Sequence, residues 1–432
     1  MKSRFLPAAL ALSVSLGLPA SAAAQGGYFG RNKVQYRDFK FEVLKTTHFD
    51  IYYYPEEAQA AQMAARMAER WYTRLSTLLD HDLSGRQPLI LYASGPHFRQ
   101  TNAIQGEIGE GTGGVTEAYK RRIVLPFAGP IESTDHVLGH ELVHAFQYDI
   151  TGTNVSGNVA GALGLPLWFI EGMAEYLSIG PVDPHTAMWI RDASRQAKLP
   201  NVSHLNSGEY FPYRWGQALW AYIGGKYGDD AIAGIYRDAI RSGSAEMALK
   251  NVSGLDDKAL SAEWHTAIHD QYGPVLEATT RAKTFGELVS KDQSKHATNV
   301  SPALSPDGRF VVYFSSRDLL SMDLFLAEAS TGRIVRKLVD TGTNSHFTTL
   351  QFIGSAGAWS PDSHRFVVPA VRGGEAVLAI IDVQTGNRVR EIELPSVGEV
   401  LNPSWSPDGK SIVFSATVGG DSDLFIYDLT AN

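Results

Sequence analysis

The tripeptide Ser-Pro-Asp occurs three times in the last third of the chain, beginning at Ser305, Ser360 and Ser406. Each copy heads a similar segment: LSPDGRFVVYFSS from Leu304, WSPDSHRFVVPAV from Trp359 and WSPDGKSIVFSAT from Trp405. A second apolar run follows each one, DLFLAEASTG, AVLAIIDVQTG and DLFIYDLTA. Ser-Pro-Asp-Gly is turn chemistry, and the apolar, β-branched runs on either side read as buried strands. A stretch built three times from the same turn and the same strands leaves little freedom of architecture.

Strand repeats of roughly this period make β-propeller blades. A plain sandwich has no reason to repeat a turn three times. The segments resemble the blades of TolB-like propellers over residues 299–432, a likeness of architecture that says little about function. In the first two repeats a further strand follows, Arg333 to Val339 and Arg388 to Leu394. The third repeat has no room for one. The sequence therefore predicts an all-β part with an incomplete ring, either truncated after Asn432, the favoured reading, or completed by assembly.

A chain of 432 residues, 44% hydrophobic, is long enough for two or three cores. It has no cysteine, which excludes disulfides, thiolate ligands and a cysteine nucleophile. The net charge of −8 comes without a Lys/Arg-rich run, which argues against a nucleic-acid partner. Residues 1–24 have the form of a secretory signal: Lys2 and Arg4, then an apolar run from Phe5 to Leu18, then Ala22-Ala23-Ala24. The apolar run is too short to span a bilayer, and no cysteine follows it for a lipid anchor. The expectation is an exported protein, periplasmic or secreted and bacterial, with no membrane anchor after cleavage.

Residues 36–275 mix helix and strand signals, and 276–298 read as a polar linker. His48 to Tyr54 and Leu89 to Tyr92 suit strands. Ala58 to Leu79 has helical spacing, with Met63, Met67, Trp71, Leu75 and Leu78 on one side. Gly106 to Gly114 is glycine-rich and predicts a loop, and Val115 to Pro126 predicts an extended segment.

Within this region stands His140-Glu141-Leu142-Val143-His144. Two histidines four apart on a helix face the same way and can share one metal ion, while the glutamate beside the first can take a proton from a metal-bound water. Val137, Leu138, Leu142, Val143 and Phe146 supply an apolar helix around the motif, with Ser133, Thr134 and Asp135 as candidate N-caps. A catalytic zinc takes three protein ligands. Glu171, in Trp168-Phe169-Ile170-Glu171-Gly172-Met173-Ala174-Glu175, is the candidate third. Glu175, one turn on, can orient a ligating histidine.

HELVHAFQ followed by WFIEGMAEYL resembles the gluzincin peptidases, and closely the peptidase MA-like family, related to aminopeptidase N and leukotriene A4 hydrolase. The resemblance covers most of residues 36–275. It implies a multidomain chain: an α+β gluzincin zinc-peptidase domain followed by propeller blades. It also implies Zn2+ on His140, His144 and Glu171, Glu141 as general base, and a peptide or protein substrate. Pro212-Tyr213-Arg214-Trp215-Gly216 resembles the segment whose tyrosine stabilises the tetrahedral intermediate, which puts Tyr213 in that role and leaves Tyr210 as the fallback. Gly113, Gly114, Val115, Thr116 and Glu117 match the strand that binds substrate backbone in those enzymes. The glutamate that grips a free amino end there is displaced by one position here. One residue of shift turns a side chain to the other face of a strand, so endopeptidase action is expected over strict aminopeptidase action.

Two other functions fit the same residues. One is a protein-binding module acting through the propeller, with a weak catalytic part. The other is a zinc hydrolase of a non-peptide substrate. His136 reads as a helix-end histidine, His265 and His269 as a solvated helix face. The loop from Gly152 to Gly164 lines the cleft or merely connects.

Overall fold

The computed structural model describes residues 33–127, 129–152, 164–281, 284–287, 289, 297–318, 321–343 and 346–431. The leader and most of the 152–164 loop lie outside them. Among the described residues, no helix is long and apolar enough to cross a membrane.

The first part pairs a five-stranded sheet with helices. Its strands are β1 (Glu42–Lys45), β2 (Phe49–Tyr53), β3 (Gln87–Tyr92), β4 (Val115–Glu117) and β5 (Arg122–Pro126). Their order is β1-β2-β3-β5-β4. The central β2, β3 and β5 are parallel, and the edge strands β1 and β4 run antiparallel to their neighbours. A parallel pair needs a crossover connection, and α1 (Ala58–Leu79) provides it between β2 and β3. The segment read as one extended run, 115–126, is instead the hairpin of β4 and β5, broken by a turn that Arg121 enters at φ 52°.

The buried face of α1 differs from the one its large residues suggest. Ala60, Ala61, Ala64, Ala65 and Ala68 join Trp71, Tyr72, Leu75 and Leu79 in the core. Met63, Met67 and Leu78 lie half-buried along its flank. A seam of alanines lets the helix approach its neighbours closely, and the methionines cover the margin.

After a short α2 (Gly95–Phe98), α3 (Ile131–Thr151) crosses beneath α1. Gly139 makes the crossing close, since a Cβ there would lie 2.7 Å from Trp71 Cε2. The helix begins earlier than the candidate caps imply: Pro130 is the N-cap residue, and Ser133, Thr134 and Asp135 fall inside the helix. Asp135 bonds Arg70 Nη2 at 2.6 Å and Trp71 Nε1 at 2.9 Å, tying α3 to α1.

Among the described residues six further helices follow: α4 (Leu167–Ile179), α5 (Pro184–Arg195), α6 (Pro212–Tyr227), α7 (Asp230–Ser242), α8 (Ala245–Ser253) and α9 (Asp257–Ala278). The last continues into the stretch read as linker. α4 and α6 meet backbone to backbone. A Cβ on Gly172 would sit 2.4 Å from Gly216 Cα, and one on Gly216 would sit 2.2 Å from the Trp168 carbonyl oxygen. Trp220 Nε1 locks the pair by donating to the Phe169 carbonyl at 2.9 Å.

The second part is three antiparallel sheets, each of the kind that makes a propeller blade. The first holds β6 (Asn299–Leu304), β7 (Phe310–Ser315), β8 (Asp323–Glu328) and β9 (Ile334–Val339) in sequence order. The second holds β10 (Thr349–Leu350), β11 (Ala358–Trp359), β12 (Arg365–Arg372), β13 (Glu375–Asp382) and β14 (Arg388–Glu393). The third holds β15 (Glu399–Trp405), β16 (Ser411–Val418) and β17 (Asp421–Asp428). No sheet among the described residues closes into a ring.

The three Ser-Pro-Asp turns have one geometry. Ser305, Ser360 and Ser406 donate to Asp307, Asp362 and Asp408 at 2.6, 2.5 and 2.6 Å, and each accepts the backbone N–H five residues on at 2.9 Å. The turn needs a positive φ, which Gly308 and Gly409 take at 73° and 71° and which Ser363 adopts at 60° in the second copy. Tryptophans stitch successive blades. Trp359 Nε1 donates to the Ala303 carbonyl at 2.9 Å, and Trp405 Nε1 to that of Ala358 at 3.2 Å. Leu324 and Leu326 of the first blade are buried against the second, and Leu378 and Ile380 of the second against the third. The equivalent pair in the third, Leu424 and Ile426, is 74% exposed at each residue.

Candidate metal centre

α3 and α4 bring three donor atoms to one point. His140 Nε2 and His144 Nε2 are 3.1 Å apart, and Glu171 Oε2 lies 3.3 Å from the first and 3.1 Å from the second. All three side chains are largely buried. Bonds of about 2.0–2.1 Å at tetrahedral angles put the donor atoms of a zinc site roughly 3.3 Å apart, so the separations suit that ion. These three donor atoms form a group that could hold a metal ion. Burial opposes charge on His140, yet Glu171 and Glu175 outweigh it and push the imidazole up to about 10. Glu171 is held well below the usual carboxylate range by both histidines, against the effect of burial.

Each histidine has a polar side chain behind it, a hydrogen-bond partner for His144 and an ion-pair partner for His140. Gln147 Oε1 lies 2.8 Å from His144 Nδ1, so that nitrogen carries the proton and Nε2 presents its lone pair. Gln147 is fixed in turn by donating to the Ile170 carbonyl at 3.2 Å. Glu175 Oε1 lies 3.1 Å from His140 Nδ1 and 3.4 Å from His136 Nε2. Its other oxygen meets Arg214, which also binds Asp183 at 3.1 Å. His136 is therefore part of the polar support behind His140, beyond a helix-end role. Gln147 escaped the sequence reading, although its spacing three after His144 puts it on the same helix face.

Glu141 faces the edge strand. Thr116 Oγ1 lies 2.7 Å from its carboxylate and 2.8 Å from its backbone carbonyl, and the single hydroxyl proton favours the charged acceptor. Gly114 makes room for this approach, since a Cβ there would sit 2.9 Å from Glu141 Cγ. Tyr213, on the first turn of α6, stacks on His140 with ring centroids 5.8 Å apart. Burial first, then the Glu171 and Glu141 carboxylates, hold its phenol proton on. A cavity of about 120 Å³ between these groups is lined by Gly114, Val115, Thr116, Glu141, Tyr148 and Tyr213 together with the three donor residues and Ile170.

The remaining candidates lie elsewhere. Gly113 packs on Val137 outside the cavity. Glu117 points away from it, bonding Arg122 Nε at 3.0 Å and the backbone N–H groups of Tyr119 and Lys120. Tyr210 packs edge-on against Trp215 and lines a neighbouring groove. His265 Nε2 lies 2.9 Å from the Pro200 carbonyl and is half-buried, while His269 is exposed beside Ser194.

No protein-family model matches this chain, and no curated protein matches it. Solved structures resemble it in part. TolB from Acinetobacter baumannii is 20% identical with a TM-score of 0.26, over 32% of this chain and 31% of that one. Kuenenia stuttgartiensis hydrazine synthase is 18% identical with a TM-score of 0.21, over 26% and 30%. The C-terminal WD40 domain of Sif2 is 20% identical with a TM-score of 0.23, over 33% and 34%. The chain thus spans about a third of the length of the TolB structure. The blade architecture stands on the three sheets themselves.

Proposed function

We propose that this chain is a zinc-dependent peptidase of gluzincin type. The observation that carries the reading is the convergence of His140, His144 and Glu171, with the Glu141 carboxylate and the Tyr213 phenol lining the same small cavity. A zinc ion held by these three residues would supply Lewis acidity to a peptide carbonyl and to water. Glu141, kept in place by Thr116, takes the proton of the attacking water and returns it to the leaving amine. Tyr213 keeps its proton and can donate to the oxyanion as it develops. Gln147 orients the His144 imidazole by a hydrogen bond, and the Glu175 carboxylate lies against His140 as its ion-pair partner. The open edge of β4 offers a peptide backbone a strand to pair with.

Endopeptidase action fits the same strand. Glu117, the strand's carboxylate, is taken up by Arg122 and its own turn, and Thr116 is engaged with Glu141. Neither is free to grip a substrate's amino terminus. Peptides with blocked N-termini should be cut, and cleavage confined to free N-termini would refute this.

The test combines metal analysis with cleavage mapping of a peptide library. One zinc per chain and internal cleavage are expected. Glu141→Gln should keep the metal and lower kcat by about 10²–10⁴, the contribution of a general base. Loss of zinc in that variant would make Glu141 a ligand and overturn the assignment. Zinc binding without cleavage of any peptide would favour the binding-module or non-peptide alternatives.

A further inference from the structure

The loop that leads into β4 is held at both ends by different parts of the molecule. At its start, Glu110 Oε1 accepts the backbone N–H groups of Phe352 at 2.8 Å and Ile353 at 2.9 Å, between β10 and β11 of the second blade. Gly111 lies directly on this contact, because a Cβ there would sit 3.1 Å from Ile353 Cδ1. At the loop's end, Gly113 and Gly114 press on Val137 and Glu141 of α3, both with less space than a side chain needs. Thr116 then bonds the Glu141 carboxylate. One short stretch, bare of side chains at three positions, therefore runs from the second blade to the candidate base.

The charged groups facing Glu110 are Arg99, just after α2, and Glu399, at the start of β15. Gln351 Nε2 donates to Glu399 Oε1 at 2.7 Å. Burial pushes the Glu110 carboxyl up to about 7, against the two N–H groups and Arg99, and burial also raises Glu399. A carboxyl stands at this junction despite its desolvation, and one of its oxygens accepts both backbone N–H groups.

We propose that Glu110 is a positioning residue that pins the β4 loop to the second blade and so holds the Gly114–Thr116 edge at the metal centre. On this view the C-terminal sheets are a working part of the catalytic unit. The proposal rests on the peptidase reading for its kinetic consequence but not for its structural one. Two hydrogen bonds on one short loop set the expected size of the effect.

The experiment uses the full chain with Glu110→Ala, Glu110→Asp and Glu110→Gln. Glutamine keeps one oxygen for both N–H groups, aspartate shortens the reach, and alanine removes the contact. Amide hydrogen exchange over residues 106–118, zinc content, and KM and kcat on a cleaved peptide are measured together. The alanine variant should exchange about tenfold faster over 111–117 and raise KM about tenfold, with kcat nearly unchanged. Zinc content should stay full, glutamine should restore both readouts, and aspartate should fall between. Should alanine prevent folding, the aspartate and glutamine pair decides the matter by the same readouts. Unchanged exchange over 111–117, or loss of zinc with kcat falling alongside, overturns the proposal. If the wild-type chain cuts no peptide, the peptidase reading fails and the exchange data alone decide the role of Glu110.

Discussion

Thr116 and Glu141 come from different elements and meet at 2.7 Å. Thr116→Val keeps the shape and burial of the side chain and removes the donor. A hydrogen bond to a charged group is worth about 1.5–3 kcal/mol, so kcat should fall about 10–100-fold with zinc content unchanged. Activity equal to the wild type would show that Glu141 needs no such support. The pattern His140, Glu141, His144 was legible because it lies within two turns of one helix, where spacing alone sets direction. Glu171 and Glu175 were legible because they share a second apolar helix. The sequence places Thr116 on the substrate strand. Its contact with Glu141 depends on how β4 lies across α3, which no local pattern records.

At the scale of elements, the crossing of α4 and α6 sets the distance between Glu171 and Tyr213. The pair Gly172 and Gly216 allows the backbones to touch. Gly172→Ala would place a methyl 2.4 Å from Gly216 Cα, and relief requires the helices to part. Overpacking of this kind costs about 1–3 kcal/mol or more, and Glu171 would move with its helix, so zinc affinity should drop as well. Gly225→Ala in the same α6, where nothing lies within 4 Å, should instead stabilise by about 0.5–1 kcal/mol. Thermal denaturation of the two zinc-loaded variants checks both. Equal stability of Gly172→Ala and the wild type would mean the crossing is adjustable. Sequence reading marked Gly216 only as part of a motif, since a glycine's partner across a helix pair is a tertiary fact.

For the whole molecule, acids buried at the packing of its layers give stability a pH dependence. Glu57 is fully buried and accepts the Tyr54 backbone N–H at 3.1 Å. Burial pushes its carboxyl up to about 8, partly offset by that bond. A folded-state value above the ordinary 4.5 means the folded chain holds this proton more tightly than the unfolded one. Its contribution is therefore full below pH 4.5 and is lost as pH rises through about 8. Glu57→Gln cannot ionise, so its stability relative to the wild type should improve between pH 5 and 8, measured by urea unfolding of the zinc-loaded protein. A constant difference across that range would contradict the buried charge. Glu110 acts in the same direction up to about 7, where the two parts meet.

The sequence by itself determined what short-range repetition can encode. Helical spacing placed both histidines on one face of α3, and the recurring Ser-Pro-Asp turn laid out three sheets. Only the tertiary structure decided which separate segments touch. It set Glu171 beside the histidines, turned Thr116 to Glu141 and Glu117 away, and seated Glu110 on the second blade. The contacts of Glu171, Thr116 and Glu110 depend on close approach between residues far apart in the chain, at Gly172, Gly216, Gly114 and Gly111. A missing side chain carries no periodic signal; its meaning lies in the atom that occupies the space it leaves.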